Sequence, residues 1–216
     1  WKMSETVPYP LLKWGTDKLL SLILILIFTP VWIFIVFSML ISMALFPADR
    51  GSLFYREKRI TRGREFDILK FRVLRKDVLL QVQKEGKYSR LYEGDSSKLT
   101  WAGRCLLKKW YFDELPQLFN IVKGDMSLVG PRPLVVEEVN ELLKQGIMYR
   151  DFILAGWTGP VQVEVKGETL QKTATELDLE YLDRCRNWSS WQLWWYDISV
   201  LYQTIQIILS GKGLKF

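Results

Sequence analysis

Two adjacent carboxylates and a nearby arginine form the most chemically informative group in the sequence. Asp113 and Glu114 stand just before a short apolar stretch, and Arg132 follows in a Gly-Pro-Arg-Pro segment, residues 130–133. Carboxylates can hold a metal ion or attack phosphorus, and a guanidinium can hold two phosphate oxygens at once. These residue types indicate chemistry on a phosphate group. The competing interpretation is a helix cap, a solvated glutamate and a surface arginine.

The neighbouring residues predict how these groups are held. Asp113 is a good N-cap for a helix that begins at Glu114, because Pro116 would then fall in the first turn, where its missing N–H costs little. Both carboxylates would lie at the positive end of that helix. Arg132 sits between two prolines, which restrict its backbone before any ligand arrives.

The composition excludes several kinds of active site. The 216 residues include no histidine, which excludes a Ser-His-Asp triad, a histidine-ligated zinc site and histidine acid–base chemistry. The net charge of +6 favours partners that carry phosphate, such as nucleotides, lipid headgroups or nucleic acid. Cys105 and Cys185 lack a metal-binding spacing, and we expect both to be buried structural thiols.

Residues 19–46 carry no charge and predict a membrane-associated helix. A straight helix of this length would extend about 42 Å, whereas the bilayer core is about 30 Å thick. Pro30 lies in mid-segment, where proline kinks a helix, and both flanks are basic. These features suit a re-entrant helix that returns to the same face, with a tilted span as the alternative. We therefore assign residues 1–48 to the membrane and residues 49–216 to a cytoplasmic domain.

Two further segments indicate contact with a membrane surface. Residues 188–209 combine four tryptophans with aliphatic residues at the spacing of an amphipathic helix, which favours the headgroup level over packing on the core. Residues 56–76 carry nine lysines and arginines against three acids, which suits anionic lipids or a solvated face. Within this run Lys70 and Arg72 alternate with apolar neighbours, so we expect them on one strand face that could point at a phosphate.

The remaining pattern predicts a mostly helical α/β domain with a small, irregular β element. Residues 51–71 indicate short strands with a turn at Gly63, and the polar residues 81–99 indicate a mobile loop. A turn into a strand is expected within residues 156–167. Helices are expected at residues 101–110, 135–149 and 169–184.

The segment around the two acids resembles the signature of an enzyme family. Residues 112–120 read Phe-Asp-Glu-Leu-Pro-Gln-Leu-Phe-Asn, and residues 123–133 read Lys-Gly-Asp-Met-Ser-Leu-Val-Gly-Pro-Arg-Pro. Both are similar to motifs of the bacterial sugar transferases, the monotopic polyprenyl-phosphate phosphoglycosyl transferases. The resemblance extends over about residues 13–208 and includes a helix broken at proline. It is the coverage expected of the catalytic module alone.

This resemblance implies transfer of a sugar-1-phosphate from a nucleotide diphosphate sugar to undecaprenyl phosphate. We expect the donor to be a UDP-sugar. The reaction would take place at the cytoplasmic face of the bacterial inner membrane, among its lipids. Asp113 would form a covalent phosphosugar intermediate, and Asp113 with Glu114 would hold Mg²⁺ or Mn²⁺. The chain could assemble as a homodimer, and nucleic acid is not expected as a partner. The residues assigned to substrate and phosphate binding are Lys70, Arg72, Lys108, Arg132, Gln162 and Asp178, the last without a defined role.

The sequence departs from the family pattern at a few positions. Lys108 stands five residues before Asp113, where the family usually has arginine; lysine keeps the charge but loses bidentate geometry. Ala155 replaces a proline, and Val73 and Leu74 replace a Thr-Met pair. None of these changes touches the two acids, so they bear on phosphate binding and sugar choice rather than on the reaction class.

Two other functional classes remain as alternatives. A non-catalytic membrane scaffold could use the basic and tryptophan-rich surfaces, but it has no need of paired acids beside an arginine. A basic nucleic-acid binder would be expected to interleave stacking aromatics with its charges, and the basic run here adjoins an apolar segment instead.

Overall fold

Pro30 divides the charge-free segment into two helices. The structure is a computed structural model that describes residues 7–164 and 172–210. Helix α1 (Leu11–Ile27) ends just before helix α2 (Thr29–Leu45), whose first turn contains the proline. The predicted break is confirmed. In the described part of the chain no single helix has the length and apolar composition of a membrane span, and α1 and α2, bent by 58°, meet both criteria only as a pair.

Contacts within the chain separate it into two units, each built from discontinuous parts of the sequence. Over residues 7–164 and 172–210, helices predominate and accompany two sheets of two strands each, which agrees with the predicted mostly helical α/β domain. The first unit comprises the described parts of residues 1–22, 58–66 and 120–216, and the second comprises residues 23–57 and 67–119. The assignment of residues 1–48 to the membrane stays a prediction.

A parallel pair of strands lies at the core of the first unit. Strand β3 (Met126–Val129) is fully buried and pairs with strand β4 (Ala155–Thr158). Helix α7 (Pro160–Glu164) follows β4 directly, so the strand predicted after the turn is wrong; proline at the first helical position starts a helix here. Helices α8 (Ala174–Asn187) and α9 (Ser190–Leu209) both contact α7, and α9 also contacts the strands.

Glycines bring residues 130–133, here called the proline loop, against β4. A Cβ on Gly156 would lie 2.1 Å from the backbone nitrogen of Gly130, and a Cβ on Gly159 would lie 2.2 Å from the Gly130 carbonyl oxygen. The Gly156 N–H donates to the Pro131 carbonyl at 2.8 Å. Only glycine permits so close an approach, so packing as well as proline fixes this loop.

A buried polar network ties α1 into the first unit. Lys13 Nζ donates to Asp197 Oδ2 at 2.6 Å and to the carbonyl of Val129 at 3.0 Å. Tyr181 Oη lies 3.0 Å from the same carbonyl and 2.9 Å from Asp197 Oδ1, so its single proton is shared between these two acceptors. The first turn of α1 is therefore part of this unit's core.

A hairpin contributes residues to both units. Strands β1 (Phe54–Thr61) and β2 (Arg64–Phe71) are joined through Arg62 and Gly63, with φ values of 47° and 67°. Positive φ at both central residues is what a two-residue primed turn requires, and it confirms the turn predicted at Gly63.

Short helices make up much of the rest of the second unit. Helix α3 (Lys76–Glu85) and helix α4 (Arg90–Glu93) occupy part of residues 81–99, so the loop predicted there is wrong. The polar residues of α3 face solvent, while Val78 and Val82, one turn apart, are buried. A π-helix at Gly103–Leu107 confirms helical structure within residues 101–110.

The remaining helices are shorter than predicted or displaced. Helix α5 (Gln117–Lys123) lies before β3, and helix α6 (Val136–Lys144) covers only part of residues 135–149. Gly146, with φ 76°, supplies the left-handed residue that commonly follows a helix end. Helix α8 confirms the helix expected at residues 169–184 from Ala174 onward; residues 165–171 lie outside the described part of the chain.

Candidate active site

The two acids lie in a 3₁₀ turn, Phe112–Glu114, and not at the start of an α-helix. Helix α5 begins only at Gln117, so the prediction that Asp113 caps a helix starting at Glu114 is wrong. Pro116 has no N–H for the Phe112 carbonyl, which accepts from Leu115 at 3.2 Å instead. The shorter i to i+3 hydrogen bond gives the tighter turn.

A residue with a strained backbone conformation precedes the two acids. Tyr111 has φ 56°, a left-handed conformation that costs a non-glycine residue on the order of 1–2 kcal/mol. Such residues persist where the surrounding structure imposes them, and they often occur at functional sites. Here the strained residue directs the chain into the 3₁₀ turn that carries Asp113.

The Asp113 carboxylate is buried, and its two oxygens differ. Lys108 Nζ donates to Asp113 Oδ2 at 3.0 Å and to Glu93 Oε2 at 2.7 Å. Asp113 Oδ1 is buried and has no hydrogen-bond partner. One oxygen is therefore held by an ammonium group, while the other keeps its lone pairs available.

The charges of this cluster set its protonation. Burial raises the pKa of the Asp113 carboxyl to about 6; Lys108 opposes that rise and the adjacent Glu114 adds to it. Burial also acts to raise the pKa of Glu93, but Lys70 and Lys108 outweigh it and lower that pKa to about 2. For Lys108, burial lowers the pKa, and the two carboxylates more than offset this and leave it raised. A charged lysine between two carboxylates is the stable state at neutral pH.

The guanidinium of Arg72 is bound to backbone atoms, and its assignment to phosphate binding stays a prediction. Its guanidinium donates to three backbone carbonyls: Nε to Ser52 at 2.6 Å, Nη1 to Leu74 at 2.9 Å, and Nη2 to Asp49. These bonds hold together the chain that follows α2. Binding of phosphate by Arg72 would require them to break, so the contacts favour a backbone anchor over a phosphate ligand. Lys70, also buried, has no such anchoring bond to a carbonyl among the described contacts.

Three predicted ligands belong to the first unit. Arg150 Nη1 donates to the carbonyl of Arg132, and Arg150 Nη2 donates to Asp178 Oδ2 at 3.0 Å. Tyr149 Oη donates to the same carboxylate oxygen at 2.7 Å. Asp178 therefore acts on the proline loop through Arg150. Gln162 is buried, and both polar atoms of its amide lack a hydrogen-bond partner.

Sequence reasoning missed Glu93 and Arg150. Glu93 lies in the stretch taken for a loop, and no spacing links it to Asp113, because their connection through Lys108 exists only in the folded chain. Arg150 lies where a helix was expected to end, a position usually taken by a solvated charge. The thiol prediction is confirmed for Cys185, which is buried, and wrong for Cys105, which is exposed.

A divalent ion fits this site through few protein ligands. Within the described ranges, no three carboxylate or cysteine side chains converge on a metal position. Mg²⁺ usually takes only one or two protein carboxylates and completes its shell with water and substrate phosphates. The adjacent carboxylates of Asp113 and Glu114 suit that mode of binding.

Comparison with known proteins identifies the family. A family model described as bacterial sugar transferase matches residues 9–211. An uncharacterized sugar transferase of Haemophilus influenzae is 33% identical over 94% of this chain and 42% of its own length. The undecaprenyl-phosphate galactose phosphotransferase of Salmonella typhimurium is 31% identical over 94% of this chain and 41% of its own length.

A third relative is closer in size. The exopolysaccharide production protein ExoY of Rhizobium meliloti is 30% identical over 93% of this chain and 87% of its own length. The chain spans about two fifths of the Haemophilus and Salmonella proteins. The family model covers nearly all of the sequence, and it includes the two acids and the proline loop. The chain therefore belongs to the bacterial sugar transferase family.

Proposed function

We propose that the chain transfers a sugar-1-phosphate from a UDP-sugar to undecaprenyl phosphate through a phosphosugar bound covalently to Asp113. Family membership and the name of the Salmonella relative, a phosphotransferase acting on undecaprenyl phosphate, support this reaction class. The observation that carries the covalent step is the asymmetry of Asp113. Lys108 holds Oδ2, while Oδ1 is a buried carboxylate oxygen without a partner.

The first step forms one bond and breaks one. Asp113 Oδ1 attacks the sugar-bearing phosphorus in line, and the bond from that phosphorus to the bridging oxygen breaks. The electron pair leaves with the nucleoside monophosphate, and an acyl phosphate remains on the enzyme. The lipid phosphate then attacks the same phosphorus and releases the carboxylate. The bond between the sugar C1 and its oxygen is never broken, so the anomeric configuration is retained.

The surrounding side chains have supporting roles. Lys108 orients the carboxylate and offsets the repulsion that an anionic donor meets at Asp113. Glu114 assists in holding a metal ion or in handling a proton. Mg²⁺, held by Asp113 and Glu114, would supply charge neutralisation of the diphosphate when bound.

Donor binding requires the site to open. Attack needs the phosphorus within about 3–3.5 Å of the carboxylate oxygen. Asp113 has 0% exposure in this conformation, so a covering side chain must move aside first. The Lys108 side chain, 28% exposed, is the part of the carboxylate's surroundings already in contact with solvent. We therefore expect the donor diphosphate to enter from this side.

Exposed apolar side chains support a membrane location. Helices α1 and α2 expose Leu26 and Phe37, at 72% and 61%, although both are large and apolar. Helix α9 buries Leu193 and exposes Trp191 and Trp195. Such side chains suit the hydrocarbon and headgroup levels of a bilayer, where a lipid-linked phosphate would be presented. We propose a re-entrant insertion of α1 and α2 from the cytoplasmic face of the inner membrane.

Trapping the intermediate tests the proposal. Protein incubated with a UDP-sugar labelled in the sugar should carry a covalent phosphosugar, detected by intact-protein mass spectrometry, and Asp113→Asn should carry none. Asp95→Asn is a matched control, because Asp95 is an exposed aspartate of the same unit that accepts from Ser97. An adduct on Asp113→Asn would remove Asp113 from the nucleophile role.

Steady-state kinetics distinguish the covalent route from direct attack by the lipid. The covalent route predicts ping-pong kinetics, with UMP released before the lipid binds. A sequential pattern would leave the two acids with metal binding alone. The same release assay, run over a panel of UDP-sugars in nanodiscs, identifies the donor sugar.

A further inference from the structure

The lysine beside Asp113 is itself held by a second carboxylate that the proposed mechanism does not use. Glu93, the last residue of α4, accepts from Lys108 Nζ at 2.7 Å and from Ser89 Oγ at 3.0 Å. Its side chain is 9% exposed. A nearly buried carboxylate with two donors has a defined position, and it gives Lys108 one as well.

We propose that Glu93 is a positioning residue that holds Lys108 on Oδ2 of Asp113 and so leaves Oδ1 to attack phosphorus. This inference rests on the proposed function, because it assigns the attacking atom of the covalent step. Glu93 acts through Lys108, and it is not assigned any contact with the substrate.

The chemistry of lysine explains why a second anion is needed. An ammonium on a flexible four-carbon chain lacks the planar fork with which arginine fixes its own orientation. Without Glu93, Lys108 could rotate from one Asp113 oxygen to the other, or leave both for the donor phosphates. Lys108 Nζ lies 2.7 Å from Glu93, so the ammonium donates one N–H to that carboxylate and another to Oδ2 of Asp113.

The bridge also persists through the covalent step. Once Asp113 carries the phosphosugar, its carboxyl group no longer bears a charge, because the displaced electron pair has left with the nucleoside monophosphate, whereas Glu93 remains an anion. Lys108 therefore stays beside the intermediate, where it can stabilise the charge that develops during attack by the lipid phosphate.

A double-mutant cycle tests this inference. The rate of adduct formation is measured in a single turnover for wild type, Glu93→Gln, Lys108→Met and the double variant. Loss of a hydrogen bond between charged groups should slow Glu93→Gln by about tenfold. The double variant should be no slower than Lys108→Met, because Glu93 has nothing to position once the lysine is gone. Additive losses, or full activity in Glu93→Gln, would overturn the inference.

Two further variants separate positioning from stability. Glu85→Gln is the matched control, because Glu85 is a paired glutamate of the same unit that accepts from Lys87 at 2.7 Å, and it should leave the rate unchanged. Lys108→Arg should recover part of the rate lost in Glu93→Gln, since a guanidinium orients itself on a carboxylate. No recovery in a folded double variant would contradict the proposed role.

The outcomes also separate this inference from the proposed function. If wild-type protein forms no phosphosugar adduct, the covalent mechanism fails. If the adduct forms normally and the rate does not depend on Glu93, only the positioning role fails. Thermal unfolding of each variant establishes that it is folded; should Glu93→Gln be unfolded, Glu93→Asp, which keeps the charge on a shorter side chain, takes its place and should lie between wild type and Lys108→Met.

Discussion

Replacing Asp178 with asparagine should destabilise the protein and disturb the proline loop at the same time. Asp178 and Arg150 form an ion pair whose side chains are only 4% and 8% exposed. Removing one partner of a buried pair costs about 3–5 kcal/mol, because the other charge is left without compensation. The asparagine oxygen can still accept from Tyr149, so we expect the lower end, about 3 kcal/mol. For a chain of this size that lowers the melting temperature by about 6–12 °C.

A paired hydrophobic replacement separates the two effects. Asp178→Leu with Arg150→Met removes both charges, and such replacements of buried ion pairs are often neutral or stabilising. We therefore expect the melting temperature of the double variant to return toward wild type. Activity should stay low, because the carbonyl of Arg132 has lost the donor that fixes its loop. The expected signature is a raised KM for the UDP-sugar in the UMP-release assay, with thermal unfolding followed by tryptophan fluorescence.

Two results would refute this reasoning. Unchanged thermal unfolding of Asp178→Asn would mean that the pair is solvated in the working protein. Recovery of both stability and a wild-type KM in the double variant would show that Arg150 contributes to stability alone and that its bond to the proline loop has no functional effect.

Three other predictions concern different parts of the molecule. The rate of adduct formation should fall about tenfold per pH unit below about 6, because burial raises the pKa of Asp113 to about 6 and only the ionised carboxylate attacks; a flat profile to about pH 5 would contradict this. Gly156→Ala should sharply reduce the yield of folded protein, since its Cβ would lie 2.1 Å from the facing loop backbone, whereas Gly94→Ala, with nothing within 4 Å, should express normally. Lys13→Met should lower stability by about 3–5 kcal/mol in denaturant unfolding, because Asp197 would remain as a buried, unpaired carboxylate.

Features governed by local backbone chemistry could be predicted from the sequence. Pro30 breaks the apolar segment, and Gly63 turns the hairpin, because each limits the backbone irrespective of distant residues. Helix α3 could not be predicted in this way, since its apolar face consists largely of Val78 and Val82 within a polar stretch. Helix α7 failed for a related reason: Pro160 can precede a strand or start a helix, and tertiary packing decides between them.

In the candidate site as well, local sequence features could be predicted, whereas contacts formed only on folding could not. Asp113 and Glu114 were found because they are adjacent in the sequence, and Lys108 because the family resemblance places a cation five residues before Asp113. Glu93 was not, since its connection to Asp113 depends on the folding of α4 toward the 3₁₀ turn. The alternation around Lys70 and Arg72 correctly placed Lys70 in a strand, whereas Arg72 lies one residue beyond the end of β2. Alternation indicates which face a side chain lies on and not what its guanidinium binds.

Lys108 depends on a second carboxylate for its orientation on Asp113. A guanidinium is oriented on a carboxylate by its own planar fork of donors, whereas an ammonium has no such preferred orientation. Lys108 donates one N–H to Oδ2 of Asp113 and a second, in a different direction, to Glu93. Glu93 therefore supplies the orientation that the lysine lacks, and this arrangement leaves Oδ1 without a hydrogen-bond partner.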